Sequence, residues 1–263
     1  MADTPAIASD GLGAASRHAF VGRALNATPA YWLSMFAASA LGTNLGDFWV
    51  GELSFGRGMS FASLAALSVL AIWTDRNDGR RGEAAFWVAR GEAAFWVAIV
   101  ALRAAATNLG DFLTHDLAFG FVTVTIVLGV ATLVAGAFTR IDPAKGNSPT
   151  IDIRYWVAML IAGVFGTVGG DLAAHWMGLA AAAFALGGLL VLLIALRDRF
   201  APVSVIAYWC VVLAERSAGT PAGDALASHR AAGLGLPMAM ACTGGLLLAG
   251  LLAHGLSRKP AWR

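Results

Sequence analysis

Charge is scarce in this chain. Only 13% of its residues are Asp, Glu, Lys or Arg, about half the share of a soluble domain. With 58% hydrophobic residues and a mean hydropathy of +0.70, this excludes an ordinary water-soluble enzyme. Cysteine is nearly absent: Cys210 and Cys242 both lie in apolar segments without CxxC spacing, which argues against a disulfide framework or a thiolate metal site. No phosphate-cradling glycine loop with Lys-Ser/Thr, no HExxH and no serine-nucleophile motif occurs. Nothing resembles a haem or flavin site, no resident cofactor is expected, and no soluble domain exists to hold a nucleotide. The sequence pI of 8.8 is no nucleic-acid signal, because the basic residues fall in particular loops. Residues 1–29 lack a charged start followed by an apolar stretch, so they read as a polar cytoplasmic tail rather than a signal peptide.

What the chain has instead is apolar segments of near 20 residues, the length that crosses a bilayer core of about 30 Å. The expected fold is all-α and polytopic, since helices satisfy their own backbone in lipid and no alternating strand pattern appears. Eight spans are predicted, at 30–53, 58–75, 84–113, 117–138, 153–176, 178–196, 202–227 and 232–256, within a membrane domain 30–256 followed by a basic tail, 257–263.

The strongest signal is a repeat. An aromatic–Trp pair recurs at Tyr31-Trp32, Phe95-Trp96, Tyr155-Trp156 and Tyr208-Trp209. After nine intervening residues come Gly42-Thr43, Ala106-Thr107, Gly166-Thr167 and Gly219-Thr220, and each copy closes with Gly46-Asp47, Gly110-Asp111, Gly170-Asp171 or Gly223-Asp224. Trp and Asp are 15 residues apart in all four copies. Each repeat therefore consists of one motif helix and one plainer helix (30–75, 84–138, 153–196, 202–256), with the period falling from 64 to 60 to 53 residues.

Lys and Arg placement sets the orientation. Arg17, Arg23, Arg76, Arg80, Arg81, Arg140, Lys145, Arg154, Arg197, Arg199, Arg258, Lys259 and Arg263 fall on one side, against Arg57 and Arg230 on the other. Both termini are expected in the cytoplasm, with the four repeats parallel. The carboxylates then lie about 22 Å beyond the tryptophans, at 1.5 Å per residue, in the outer half of the membrane. Residues 81–89 and 90–98 both read RGEAAFWVA. Only the second copy keeps the Trp-to-Asp spacing, so the first is read as a short duplication that extends the third helix into the cytoplasm.

With these motifs the chain resembles a group of bacterial membrane proteins known only for a tandem repeat of unknown function. They are described as four copies of a two-span repeat with a prominent Trp, an uncharacterised membrane-anchored family. The resemblance spans roughly residues 30–256 and implies a multi-pass protein of the bacterial inner membrane. It implies no activity. Typical repeats of that family carry a Glu before the Gly-Asp stretch, where this chain has Asn44, Asn108, Val168 and Pro221.

Each candidate residue has a structural reading beside a functional one. The small-xxx-small pairs from Gly42/Gly46 to Gly219/Gly223 are packing faces, also suited to a homo-oligomer contact. Trp32, Trp96, Trp156 and Trp209 are expected as interface anchors. Thr43, Thr107, Thr167 and Thr220 share a helix face with their Asp four residues on. Asp47, Asp111, Asp171 and Asp224 either sit at headgroup level or form an ion site, because a carboxylate inside a bilayer costs about 3 kcal/mol and calls for a partner. Arg103 and Arg216, eight residues before Asp111 and Asp224, stand where the other copies have Ser39 and Gly163. They are expected to balance carboxylates of neighbouring repeats, with Glu215 available to share Arg216, or to hold an anionic group of a solute. His115 and His175, four residues past Asp111 and Asp171, and Asp116 are candidate metal ligands or a proton relay, or ordinary polar residues of an outer loop.

These readings converge on a transporter or channel for a cation, a divalent metal ion as substrate or a proton-coupled solute. The partners expected are the lipid bilayer and a small cation or solute, with no nucleic acid. A structural or partner-binding membrane protein and an intramembrane Asp/His enzyme remain open.

Overall fold

Helix α1 starts where local chemistry tells it to. Thr28 caps it by accepting the Tyr31 N–H at 3.2 Å, and Pro29 occupies the first turn, where a missing N–H costs nothing. Asp152 does the same for α5, accepting from Arg154 and Tyr155 at 2.9 and 3.1 Å. Gly178, at φ 86°, ends α5 and lets α6 begin at once, in a backbone region that glycine enters at no steric cost.

In the computed structural model, which describes residues 27–78, 85–142, 148–197 and 205–257, eight α-helices follow one another. They are α1 Pro29–Gly51, α2 Arg57–Asp78, α3 Ala85–Asp111, α4 Phe121–Ala137, α5 Ile153–Met177, α6 Leu179–Arg197, α7 Val205–Ala227 and α8 Gly235–Ser257. A π-helical segment, Phe112–Asp116, continues α3. The described residues of the α4–α5 loop form one small antiparallel ladder, β1 (Ile141–Asp142) with β2 (Ser148–Pro149). Five segments are long and apolar enough to cross a membrane: Arg57–Asp75, Glu92–Asp116, Ile153–Met177, Leu179–Leu196 and Gly235–Ala253. Helix α4 is as apolar but shorter, and α1 and α7 carry the densest polar motif residues. The predicted tails and much of the first RGEAAFWVA copy lie outside the described residues. From Ala85 onward α3 is one continuous helix.

The four motif helices form a closed ring: α1 packs on α3, α3 on α5, α5 on α7, and α7 back on α1. The small residues make this closeness possible, and each seam has the same register. A methyl carbon added at Gly42 would lie 2.5 Å from the Cβ of Arg103, and one at Gly46 would lie 3.0 Å from the Ala104 carbonyl. At Gly110 the neighbour is Thr167, at Gly166 it is Arg216, at Gly170 it is Thr220, at Gly219 it is Ser39 and at Gly223 it is the Ala40 carbonyl. Ala106 takes the same part on α3, meeting Gly163 of α5. In lipid, helices associate through such packing rather than through hydrophobic expulsion from water.

The even helices form the outer layer. Each packs mainly against the next motif helix rather than the one before it: α2 on α3, α4 on α5, α6 on α7 and α8 on α1. The packing unit is thus offset by one helix from the hairpin that the repeat defines. The outer helices turn large apolar side chains outward, among them Phe184, Val191, Leu248 and Leu252. That surface suits lipid, and the architecture is that of a helical membrane protein.

The motif aromatics interlock at the N-terminal end of the ring. Tyr31 meets Trp96 (ring centroids 6.0 Å), Phe95 meets Trp156 (5.7 Å), Tyr155 meets Trp209 (5.8 Å) and Tyr208 meets Trp32 (5.4 Å). Such pairs contribute about 0.5–1.5 kcal/mol each beyond their area. This corrects the expectation for the tryptophans. Trp32, Trp96, Trp156 and Trp209 are at most 5% exposed, so they are core residues that tie each repeat to the next, not anchors in the headgroups. Trp73 and Trp176, at the ends of α2 and α5, are instead the strongly exposed tryptophans among the described residues.

Candidate functional site

Two polar layers lie along the ring axis. The first is at the C-terminal ends of the motif helices. Asp224 lies within electrostatic reach of Asp47, Asp111 and Asp171, and Asp171 within reach of Asp47 and Asp111. The four carboxylates thus stand within one another's electrostatic reach, each on a partly exposed residue. The helix C-termini contribute the negative end of four backbone dipoles, which adds to their mutual repulsion. Among the described residues, no Lys or Arg is ion-paired with Asp47, Asp111, Asp171 or Asp224.

Around this acid ring the expected helpers divide. His115 Nδ1 stands 4.0 Å from the Asp111 carboxylate, and the same nitrogen shares a hydrogen bond of 3.1 Å with Thr114 Oγ1. His175 is exposed at the end of α5. Asp116 pairs with Arg57 at 2.6 Å and lies within electrostatic reach of Asp111. Among the described residues no three His, Cys, Asp or Glu side chains stand close enough together to hold one metal ion. Arg57, which the sequence reading used only to count charges across the membrane, lies within electrostatic reach of Asp47 and Asp111.

Beneath the acids the axis is lined by hydroxyls and amides. Thr43, Thr107, Thr167 and Thr220 are all buried. Thr167 Oγ1 reaches Thr107 Oγ1 at 3.5 Å, and Thr107 Oγ1 also donates to the Arg103 carbonyl. Asn44 and Asn108 are buried with both amide atoms lacking a hydrogen-bond partner, an unusual condition for a polar side chain. In α7 the equivalent residue is Pro221, which has no N–H and leaves the Ser217 carbonyl without its helical donor.

The second polar layer is deeper and fully buried. Arg103 of α3 donates to both oxygens of Glu215 of α7, at 2.6 and 2.9 Å, and to the Met35 carbonyl of α1 at 2.6 Å. Glu215 was expected to be shared with its neighbour Arg216; it is committed across the ring instead. Arg216 donates to the Met159 carbonyl of α5 at 3.4 Å. Arg103 therefore balances a carboxylate of another repeat, Glu215 of the opposite helix, and among the described residues neither arginine is ion-paired with a motif Asp. At the same level three hydroxyls form a chain: Tyr31 Oη to Tyr208 Oη at 2.8 Å and Tyr155 Oη to Tyr208 Oη at 3.5 Å. These are all the tyrosines in the chain. Their confinement to three of the four motif copies, with Phe95 in the other, is the sequence signal for this hydroxyl chain.

Ring, acid end and buried charge layer together define a class: a helical membrane protein with two polar layers inside its helix ring. No family model, curated protein or solved structure matches the chain.

Proposed function

We propose that this protein is a cation transporter of the bacterial inner membrane, with eight spans in four parallel repeats and both termini in the cytoplasm. It belongs, in this reading, with the tandem-repeat family its motifs resemble. The cation binds at Asp47, Asp111, Asp171 and Asp224. The observation that carries the reading is the convergence of these four carboxylates at helix C-termini without a bound Lys or Arg. Such an arrangement draws in positive charge, and four acids within one another's electrostatic reach titrate as a set.

The spacing of the acids favours protons or a cation that keeps part of its water over a bare chelated metal. His115, at the rim, is placed to pass protons to Asp111. The Arg103–Glu215 pair and the tyrosine chain close the axis below the acids, so the arrangement is that of a carrier open to one side rather than a continuous pore. Transport then requires the ring seams to shift and the buried pair to part, an alternation of access built on internal repeats.

The test is a melting series on detergent-purified protein across Mg²⁺, Ca²⁺, Mn²⁺, Zn²⁺, Ni²⁺, Na⁺ and pH, followed by flux of the stabilising ion into proteoliposomes. A ligand at 100 times its Kd adds about 2.7 kcal/mol. Saturable stabilisation by one cation or by protons, lost in Asp171→Asn, supports the site. Equal melting of wild type and Asp171→Asn under every condition, with no flux, would overturn it.

A further inference from the structure

The buried charge layer does not balance, and the imbalance is built into the repeats. Arg103 and Arg216 occupy the same place in copies two and four, seven residues after Trp96 and Trp209. They make the same backbone contact, each donating to a methionine carbonyl of the preceding motif helix, Met35 or Met159. The residue before Arg216 is Glu215, and Glu215 crosses the ring to hold Arg103. The residue before Arg103 is Leu102. The carboxylate that would cross back to Arg216 is therefore a leucine.

Arg216 is 2% exposed. Among the described residues it has no carboxylate in ion-pair contact, and its Nε has no hydrogen-bond partner. Both oxygens of the adjacent Glu215 are taken by Arg103. The acid ring begins eight residues further along α7, about 12 Å at 1.5 Å per residue. Counting Arg103 and Arg216 against Glu215, the layer carries one uncompensated positive charge. A guanidinium does not shed its proton in proteins, and burying one unpaired is costly.

The groups around Arg216 include tyrosine hydroxyls and, within electrostatic reach, the Glu215 carboxylate that Arg103 already holds. Tyr31 and Tyr155 lie within its electrostatic reach, and Tyr208 bonds to both. Three hydroxyls supply three hydrogens, and the two contacts of the chain use two. A hydroxyl hydrogen can turn from its tyrosine neighbour toward a ligand held by Arg216. A buried guanidinium with no ion-paired carboxylate among the described residues, beside hydroxyls that can donate, is the chemistry that takes a small monovalent anion.

We propose that Arg216 and the hydroxyls of Tyr31, Tyr155 and Tyr208 bind such an anion, a halide or a small carboxylate, within the ring. The anion completes the layer as the missing copy of Glu215. The site is separate from the acid ring, so its fate does not depend on the cation reading.

The experiment purifies the full chain with gluconate as the sole anion and titrates chloride, bromide, nitrate and formate, reading the melting temperature and near-ultraviolet circular dichroism of the ring aromatics. Wild type is expected to show saturable stabilisation and a spectral change. Response to halides assigns the site to inorganic anions, and response to formate alone assigns it to carboxylates. Tyr155→Phe should weaken the response roughly tenfold through loss of a hydrogen bond to a charged ligand. Leu102→Glu restores the missing carboxylate. It should melt higher than wild type in gluconate and no longer respond to anions. Wild type indifferent to all four anions would overturn the proposal. So would a Leu102→Glu variant that folds and still responds as wild type does.

Discussion

Arg103 and Glu215 sit on opposite helices of a four-helix ring and meet across its axis through two hydrogen bonds of 2.6 and 2.9 Å. Neither helix packs directly on the other in the ring order α1–α3–α5–α7, so the ion pair spans the interior that the four seams enclose. It is a test of how the core is held.

Glu215→Gln leaves Arg103 buried without its countercharge. A loss of about 3–5 kcal/mol is expected, the cost of breaking one side of a buried pair, measured by equilibrium unfolding in mixed micelles. Replacing both residues, as Arg103→Leu with Glu215→Leu, should recover a large part of that loss. A double variant no better than Glu215→Gln would mean that the pair matters through something other than charge.

The seam glycines should tolerate no side chain, whereas lipid-facing glycines should. Gly166→Ala drives a methyl into Arg216, while Gly187 of α6 has nothing within 4 Å of an added Cβ. Gly166→Ala should destabilise by about 1–3 kcal/mol through overpacking. Gly187→Ala should be neutral or stabilising by up to about 1 kcal/mol through helix propensity. Equal melting of the two variants would contradict the ring packing.

Arg57 is ion-paired to Asp116 and lies within reach of Asp47 and Asp111. Its positive charge opposes a cation at the acid ring. Arg57→Gln should therefore tighten cation binding, by a few-fold, because two charges near a protein surface interact by about 4 kcal/mol at 4 Å and less as they separate. Asp111→Asn should weaken it by about tenfold or more, the effect of roughly 1.4 kcal/mol. Titration calorimetry of both variants checks the two opposite signs.

Tryptophan burial gives an optical test. In variants that keep one tryptophan each, Trp73 of α2 and Trp176 at the end of α5 should be quenched by brominated lipid, because both are strongly exposed. Trp32 and Trp209, at 1% and 0% exposure, should be shielded. Comparable quenching of Trp209 and Trp73 would restore the interface-anchor reading.

Much of this was legible in the chain. The eight helices lie within a few residues of the predicted segments, because apolar length and Gly/Pro punctuation are local properties. The fixed Trp-to-Asp register told which helices are equivalent, and the small-xxx-small pairs told which faces pack. Convergence of the four Asp residues follows once equivalent helices close a ring.

Other relationships belong to the tertiary structure alone. Adjacent side chains on a helix diverge by about 100°, so Glu215 cannot be assigned to Arg216 by adjacency; ring closure brings Arg103 to it from α3. The tryptophans are suited both to a headgroup belt and to a core, and only their fit against the next helix's aromatic, repeated four times, decides for the core. The even helices might have packed on their own hairpin partners. The seams between motif helices use up the small-residue faces, so each outer helix settles beside the next motif helix. The sequence by itself determined the helices, their equivalence and the places of the acids. Which residue meets which across the axis, and that Arg216 has no carboxylate in ion-pair contact among the described residues, was decided only by the closing of the ring, because those contacts join residues that no local pattern links.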